Sequence, residues 1–320
     1  MRGRLFAVSL PASARRPTDV DLSVRIGPLL LSNPVIAASG TFGYGVEFAH
    51  LVDLNSLGGI VVKGLSAQPL AGAPAPRLCE TAGGMLNAVG LQNIGVRAFV
   101  AEKLPELRKY RTAVIANVFG HTVDEYVEVI RVLEDAEGLA AYELNISCPN
   151  VDHGGAEFGL DPVSTTEVVS AAAQHAAKRP LWVKLAPNAD VKVIARAAEA
   201  AGADALTVAN TYPAMSIDPL SGRSRLGRRT GGLSGPAIKP LTLRLVYEVS
   251  RAVRLPVIGL GGIQTAADAL EYIMAGATAI QVGTAHFADP RASESVVEGL
   301  RHHCKELSLS TINDLRMSIE

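Results

Sequence analysis

The chain has 320 residues, 48% of them apolar, with 30 glycines and 30 basic against 31 acidic side chains for a net charge of −1. That balance belongs to a globular protein with a large core, and it excludes both a disordered chain and the strongly basic surface of a nucleic-acid binder. Three widely spaced cysteines (Cys79, Cys148 and Cys304) make no disulfide framework and fall short of the four needed for an all-cysteine iron–sulfur site, so a reducing cytoplasm is the expected compartment.

In chain order, the basic start MRGRLFAVSLPASARRP holds only the short apolar stretch LFAVSL, below the length of a signal core or a spanning helix. Neither export nor a membrane anchor is expected, and residues 1–20 are expected to be flexible. LSVRIGPLLLSNP then reads as a small hairpin turning at Gly27 and Pro28. After it, continuous apolar runs recur: VIAAS (35–39), IVVK (60–63), AVIANV (113–118), YELNI (142–146), LWVKL (181–185), ALTVAN (205–210), PVIGLG (256–261) and AIQVG (279–283). Such runs suit strands buried on both faces. The stretches between them carry helical spacing, as in VDEYVEVIRVLEDAEG (123–138) and ADALEYIMAGA (267–277). Eight βα units of this kind predict an α/β fold, a (β/α)8 TIM barrel with the hairpin capping its floor, and no second domain.

Two connections are longer than a barrel needs. One runs from Gly64 to about Gly95. The other runs from Thr211 to about Pro236 and carries Arg223, Arg225, Arg228 and Arg229. Both leave the C-terminal ends of strands, the face on which barrel active sites are built, and long loops in compact domains are commonly functional. The arginines read equally well as a solvated loop or as a lid that draws in an anion.

Four features carry chemistry. GLGGI (259–263) and QVGTA (281–285) follow the last two strands, where backbone N–H groups and the Thr284 hydroxyl can hold a phosphate. Lys63 and Lys184 end apolar runs, placing two charges at the barrel mouth; a lone lysine there would simply snorkel to solvent. Asn87, Asn93, Asn117, Asn145, Asn150, Asn188 and Asn210 cluster at strand ends, and a ring of amides suits a flat heterocycle edged with C=O and N–H groups, although asparagine is also a common turn residue. Cys148, in NISCPN, is either a buried structural thiol or a base at the active face. Cys79 and Cys304 are assigned no role, and no metal site is expected.

Read together, NPVIAASGTFGYG (33–45), VVKGLS (61–66), RLCETAGGMLNAVGLQNIG (77–95), ANVFG (116–120), ELNISCPNV (143–151), VKLAPN (183–188), ANT (209–211), GGLSGPAIKP (231–240), GLGGI and VGTA resemble the class 1 dihydroorotate dehydrogenases of pyrimidine synthesis over nearly the whole chain. ETAGGMLNAVGLQN is most similar to the NAD-linked type 1B catalytic subunit. The resemblance implies one FMN-binding barrel domain over residues 1–320 that oxidises dihydroorotate to orotate. FMN would be held by Ser39, Lys63, Gly64, Asn117, Asn145, Lys184, Gly235, Gly261, Gly262, Gly283 and Thr284. Substrate would be held by Lys63, Asn87, Ala88, Val89, Gly90, Leu91, Asn145, Asn210 and Thr211, with Cys148 as catalytic base. It further implies a partner subunit carrying FAD and a [2Fe–2S] centre, in a heterotetramer built on a homodimer of this chain. The tail LRMSIE matches nothing functional. A fumarate-linked type 1A enzyme, a dihydrouridine synthase-like barrel and a flavin-free phosphosugar isomerase remain alternatives, the second disfavoured by the net charge and the third predicting a colourless protein.

Overall fold

A computed structural model describes residues 20–146 and 158–319. The basic start, Cys148 and Asn150 lie outside the described residues. Strand β1 (Val24–Ile26) pairs antiparallel with β2 (Leu29–Leu31), with Val24 opposite Leu31. The turn passes through Gly27 at a φ of 57°, a left-handed backbone that glycine adopts without steric cost.

The remaining strands in chain order are β3 (Val35–Ala37), β4 (Gly59–Val61), β5 (Leu78–Thr81), β6 (Gly84–Asn87), β7 (Ala113–Val118) and β8 (Ala141–Asn145). Then come β9 (Leu181–Lys184), β10 (Ala205–Val208), β11 (Tyr212–Ala214), β12 (Ile217–Asp218), β13 (Arg223–Ser224), β14 (Gly231–Ser234), β15 (Val257–Leu260) and β16 (Ala279–Val282). Eight of them form a closed parallel barrel in the order β3-β4-β7-β8-β9-β10-β15-β16, with Ile280 of β16 beside Val35 of β3 at the closure. These are the eight runs read from the sequence. They are buried on both faces because the barrel interior lies on one side and a helical layer on the other. Gly27 packs near Asp204, which leads into β10, so the hairpin caps the N-terminal end of the strands as expected.

The outer layer includes the helices Val123–Glu134, Pro162–His175, Val191–Ala200, Lys239–Ala252, Ala266–Ala275 and Ala292–Glu306. Several start on side-chain caps that satisfy otherwise orphaned N–H groups. Thr122 accepts from Glu125 N, Asp161 from Ser164 N and Asp190 from Val193 N, and Thr265 with Asp268 forms a reciprocal capping box. The C-terminal tail has a structural role. Ile312 N donates to Asp21 O and Met317 N to Ile273 O, clasping the first described residues to the end of a barrel helix.

The two long connections are not plain loops. The first supplies β5 and β6 and the second β11 and β14, and together they build a four-stranded antiparallel sheet in the order β11-β14-β6-β5 at the C-terminal face. Cys79, within the first long connection, therefore sits in β5, and Cys304 is buried in the helix Ala292–Glu306.

At Gly259, in the middle of β15, an added Cβ would run into the Tyr272 ring, so this glycine sets how closely the helix Ala266–Ala275 approaches the sheet. Gly259→Ala should destabilise the fold by about 1–3 kcal/mol through overpacking, read as a lower midpoint in chemical or thermal denaturation.

Candidate active site

The added sheet stands over one side of the barrel mouth and turns it into a cleft. Its void, open mouth included, is about 1140 Å³.

One wall is glycine-rich. Gly261 and Gly262 follow β15, Gly283 and Thr284 follow β16, and Gly235 ends β14 beside the Lys239–Ala252 helix; all five line the cleft. The Gly261 carbonyl is held from behind by the Tyr272 hydroxyl at 2.6 Å, and the trans peptide then turns the Gly262 N–H the opposite way. Thr284 Oγ1 donates to Ser234 Oγ at 2.7 Å, tying this wall to β14. Gly283 is informative about a ligand. An added Cβ would meet protein no nearer than 3.6 Å, at Ala38, so the protein's own packing does not require glycine there. What a side chain would take is cleft space, the expected signature of backbone that must approach a bound group closely.

The floor is charged and amide-rich. Lys184 ends β9 and is 6% exposed, while Lys63, just past β4, is half-buried with its N–H bonded to Gly43 O at 2.9 Å. Asn145, opposite Lys184 in the β8–β9 register, accepts through Oδ1 from Asn210 Nδ2 at 3.2 Å. The Tyr126 hydroxyl donates to Asn145 O at 2.8 Å, and Asn210 Oδ1 accepts from Thr211 N at 2.8 Å. On the added sheet, Asn87 Nδ2 donates to Gly232 O at 3.2 Å.

Of the residues read from the sequence, Ser39, Lys63, Gly64, Asn117, Asn145, Lys184 and the five glycine-wall residues all line the cleft, as do Asn87, Val89, Gly90, Leu91, Asn210 and Thr211. Ala88 does not. It is fully buried on the far side of β6, packed with Leu86 and Leu226. Asn93 is a buried strut, with Nδ2 donating to Ser66 Oγ at 2.8 Å and Oδ1 accepting from Gly95 N at 2.8 Å, and Asn188 is exposed; neither lines the cleft. Arg223, Arg225 and Arg229 are exposed and Arg228 half-buried, and the lining includes none of the four, which favours the solvated-loop reading. The sequence reading missed Thr41, Met85, Ser234 and Phe287, which also line the cleft, and Glu143, which lies buried beneath it. Thr41, Met85, Ser234 and Glu143 fall inside strings already singled out, without a role of their own, and Phe287 lies outside them.

The fold and the position of the cleft define a (β/α)8-barrel enzyme, with its site at the C-terminal face of the strands. Comparison with known proteins narrows this. The family model for dihydroorotate dehydrogenase matches residues 21–304. A protein of Solibacter usitatus, provisionally named dihydroorotate dehydrogenase A (fumarate), is 58% identical over 92% of this chain and 97% of its own. The dihydroorotate dehydrogenase B (NAD(+)) catalytic subunits of Trichlorobacter lovleyi and Geotalea uraniireducens are 53% and 52% identical, over 93% and 92% of this chain and 98% and 97% of theirs. The chain belongs to the dihydroorotate dehydrogenase family, a family of flavin-dependent oxidoreductases. The phosphosugar and dihydrouridine synthase readings fall with that assignment. Among the described residues, no helix is long and apolar enough to cross a membrane.

Behind the Thr284 wall, His286 packs its ring 4.7 Å from that of Phe42, with Nε2 and Ser293 Oγ 2.9 Å apart. Burial pushes its pKa down from 6.5 to about 4. A group kept neutral in the fold but protonated in the unfolded chain leaves stability intact above pH 6.5 and erodes it as pH falls toward 4, by on the order of 3 kcal/mol. His286→Gln should flatten this part of the stability–pH profile, measured by urea denaturation from pH 7 to 4.

Proposed function

We propose that this chain oxidises dihydroorotate to orotate with FMN as its bound cofactor. The observation that carries this reading is the joining of a glycine wall suited to a phosphate with two lysines and four asparagines in one cleft. Gly235, Gly261, Gly262, Gly283 and Thr284 would hold the phosphate, and Ser39, Lys63, Gly64, Asn117, Asn145 and Lys184 the rest of the cofactor. FMN supplies the hydride acceptor. The substrate, a flat ring edged with alternating C=O and N–H groups and bearing a carboxylate, suits Asn87, Asn145, Asn210 and Thr211, with Lys63 for its negative charge. The run Asn87–Leu91, which also includes Ala88, Val89 and Gly90, would shape its side of the site. Loss of a proton from C5 and a hydride from C6 gives orotate, and Cys148 is the residue assigned to take the proton. Lys184 sets a positive charge where electrons accumulate, an electrostatic contribution that costs no reorganisation during the reaction.

Electrons must then leave the chain. We read the onward acceptor as NAD, reached through an FAD and [2Fe–2S] partner subunit in a heterotetramer, in keeping with the names of the NAD-linked relatives and the ETAGGMLNAVGLQN segment. The fumarate name of the Solibacter protein supports direct reduction of fumarate as the second reading. Either route fits one barrel domain working in the cytoplasm.

The anaerobic visible spectrum tests the proposal. A yellow chain should bleach on addition of dihydroorotate, and recovery with fumarate alone would decide for the second acceptor. A yellow protein that dihydroorotate leaves unbleached would reject the substrate. Cys148→Ala should retain FMN yet be reduced about 10²–10⁴-fold more slowly at neutral pH in stopped-flow, the usual contribution of a general base; reduction at the normal rate would remove Cys148 from that role.

A further inference from the structure

Glu143 lies in the middle of β8 and is wholly shielded from solvent. Burying a carboxylate is unfavourable unless donors surround it, and three side chains do. Asn117 Nδ2 donates to Oε1 at 2.9 Å, while Thr207 Oγ1 and Gln281 Nε2 donate to Oε2 at 2.8 and 2.6 Å. The Lys184 ammonium stands 4.0 Å from Oε1. These partners come from β7, β10, β16 and β9, so a single side chain on β8 gathers groups from around the barrel. A well-packed apolar side chain would fill the same space without the desolvation penalty, and buried ion pairs are often no more stabilising than such a replacement. The retained charge therefore calls for a role other than packing.

That role follows from what the partners do. Asn117 and Lys184 line the cleft, whereas Glu143 does not. By taking the Asn117 NH2, Glu143 leaves Asn117 Oδ1 turned toward Gly64, where an added Cβ would lie 2.9 Å from it. By standing beside Lys184, it offsets a positive charge at the cleft floor. We propose that Glu143 is a positioning residue that aims the Asn117 amide and moderates the Lys184 charge, thereby setting how readily flavin bound in the cleft accepts electrons. The proposal rests on the reading of the cleft as an FMN site.

The measurement is the midpoint potential of FMN bound to the full chain, by anaerobic spectroelectrochemical titration of wild type, Glu143→Gln, Lys184→Gln and the double variant. Glu143→Gln keeps the volume, and the new amide can be accommodated because Gln281 Oε1 is buried without a partner; turning that amide over offers it as an acceptor. Removing the negative charge should shift the potential positive and removing the positive charge should shift it negative, with the double variant returning close to wild type. Glu143→Met, which removes the charge and all three hydrogen bonds, should also shift the potential positive and in addition weaken FMN binding in a fluorescence titration of apoprotein. A wild-type chain that takes up FMN, with Glu143→Gln at an unchanged potential, overturns the inference alone and leaves Glu143 a strut. A wild-type chain that takes up no FMN overturns the proposed function and the inference together.

Discussion

Closure of the parallel barrel is the constraint on which the rest depends. Once β16 hydrogen-bonds to β3, the C-terminal end of every barrel strand faces the same way, and residues just past those ends must meet. Residues from 38 to 287 converge on one cleft for that reason, although little in their local sequence binds them to each other. Parallel strands also demand helical crossovers, which cover the outer face and leave the interior to be filled by side chains. In this interior one of the fillers is a carboxylate, held by amides and a hydroxyl.

The second architectural decision is the sheet added above the mouth. Its strands approach so closely that glycine is required where they meet. A Cβ on Gly84 would collide with Ser234 O, and one on Gly232 would collide with the Thr211 hydroxyl. The strings GGM and GGLSG are thus packing instructions as much as ligand-binding ones. The same sheet carries Asn87 and Ser234 into the cleft, so the geometry of one wall is set by strand register rather than by loop conformation.

The barrel was legible because strands buried on both faces read as unbroken apolar runs, and LWVK and AIQV have no other comfortable home. The added sheet was not. GMLN and GGLS are short, rich in glycine and lack alternation, and their pairing joins segments too far apart for any local pattern to report. Chemistry divided along similar lines. Lys63 and Lys184 announced themselves as charges ending apolar strands, whereas Glu143, inside YELNI, was passed over as part of a strand. Asparagine was ambiguous by its nature, since Asn117 and Asn145 serve the cleft while Asn93 only braces a turn through Ser66 and Gly95. Ala88 stands apart from the rest of its run: Asn87, Val89, Gly90 and Leu91 line the cleft, while Ala88 packs into the small apolar cluster with Leu86 and Leu226.

The pairing of β6 with β14 has a consequence for biosynthesis. Asn87 and its partner Gly232 are 145 residues apart, so the wall of the cleft cannot be completed until most of the chain has left the ribosome. Until then the β5–β6 ribbon must wait with Leu86 and Ala88 unburied, because Leu226, which completes their cluster, is equally late. Contacts of such long range are slow to form and give little return before the loop they close is already ordered. A ligand that touched both this wall and the barrel glycines would act on the last stage of maturation, drawing the late segment into place by mass action. Supply of that ligand would then limit how much newly made chain becomes competent, as well as how fast a finished chain turns over.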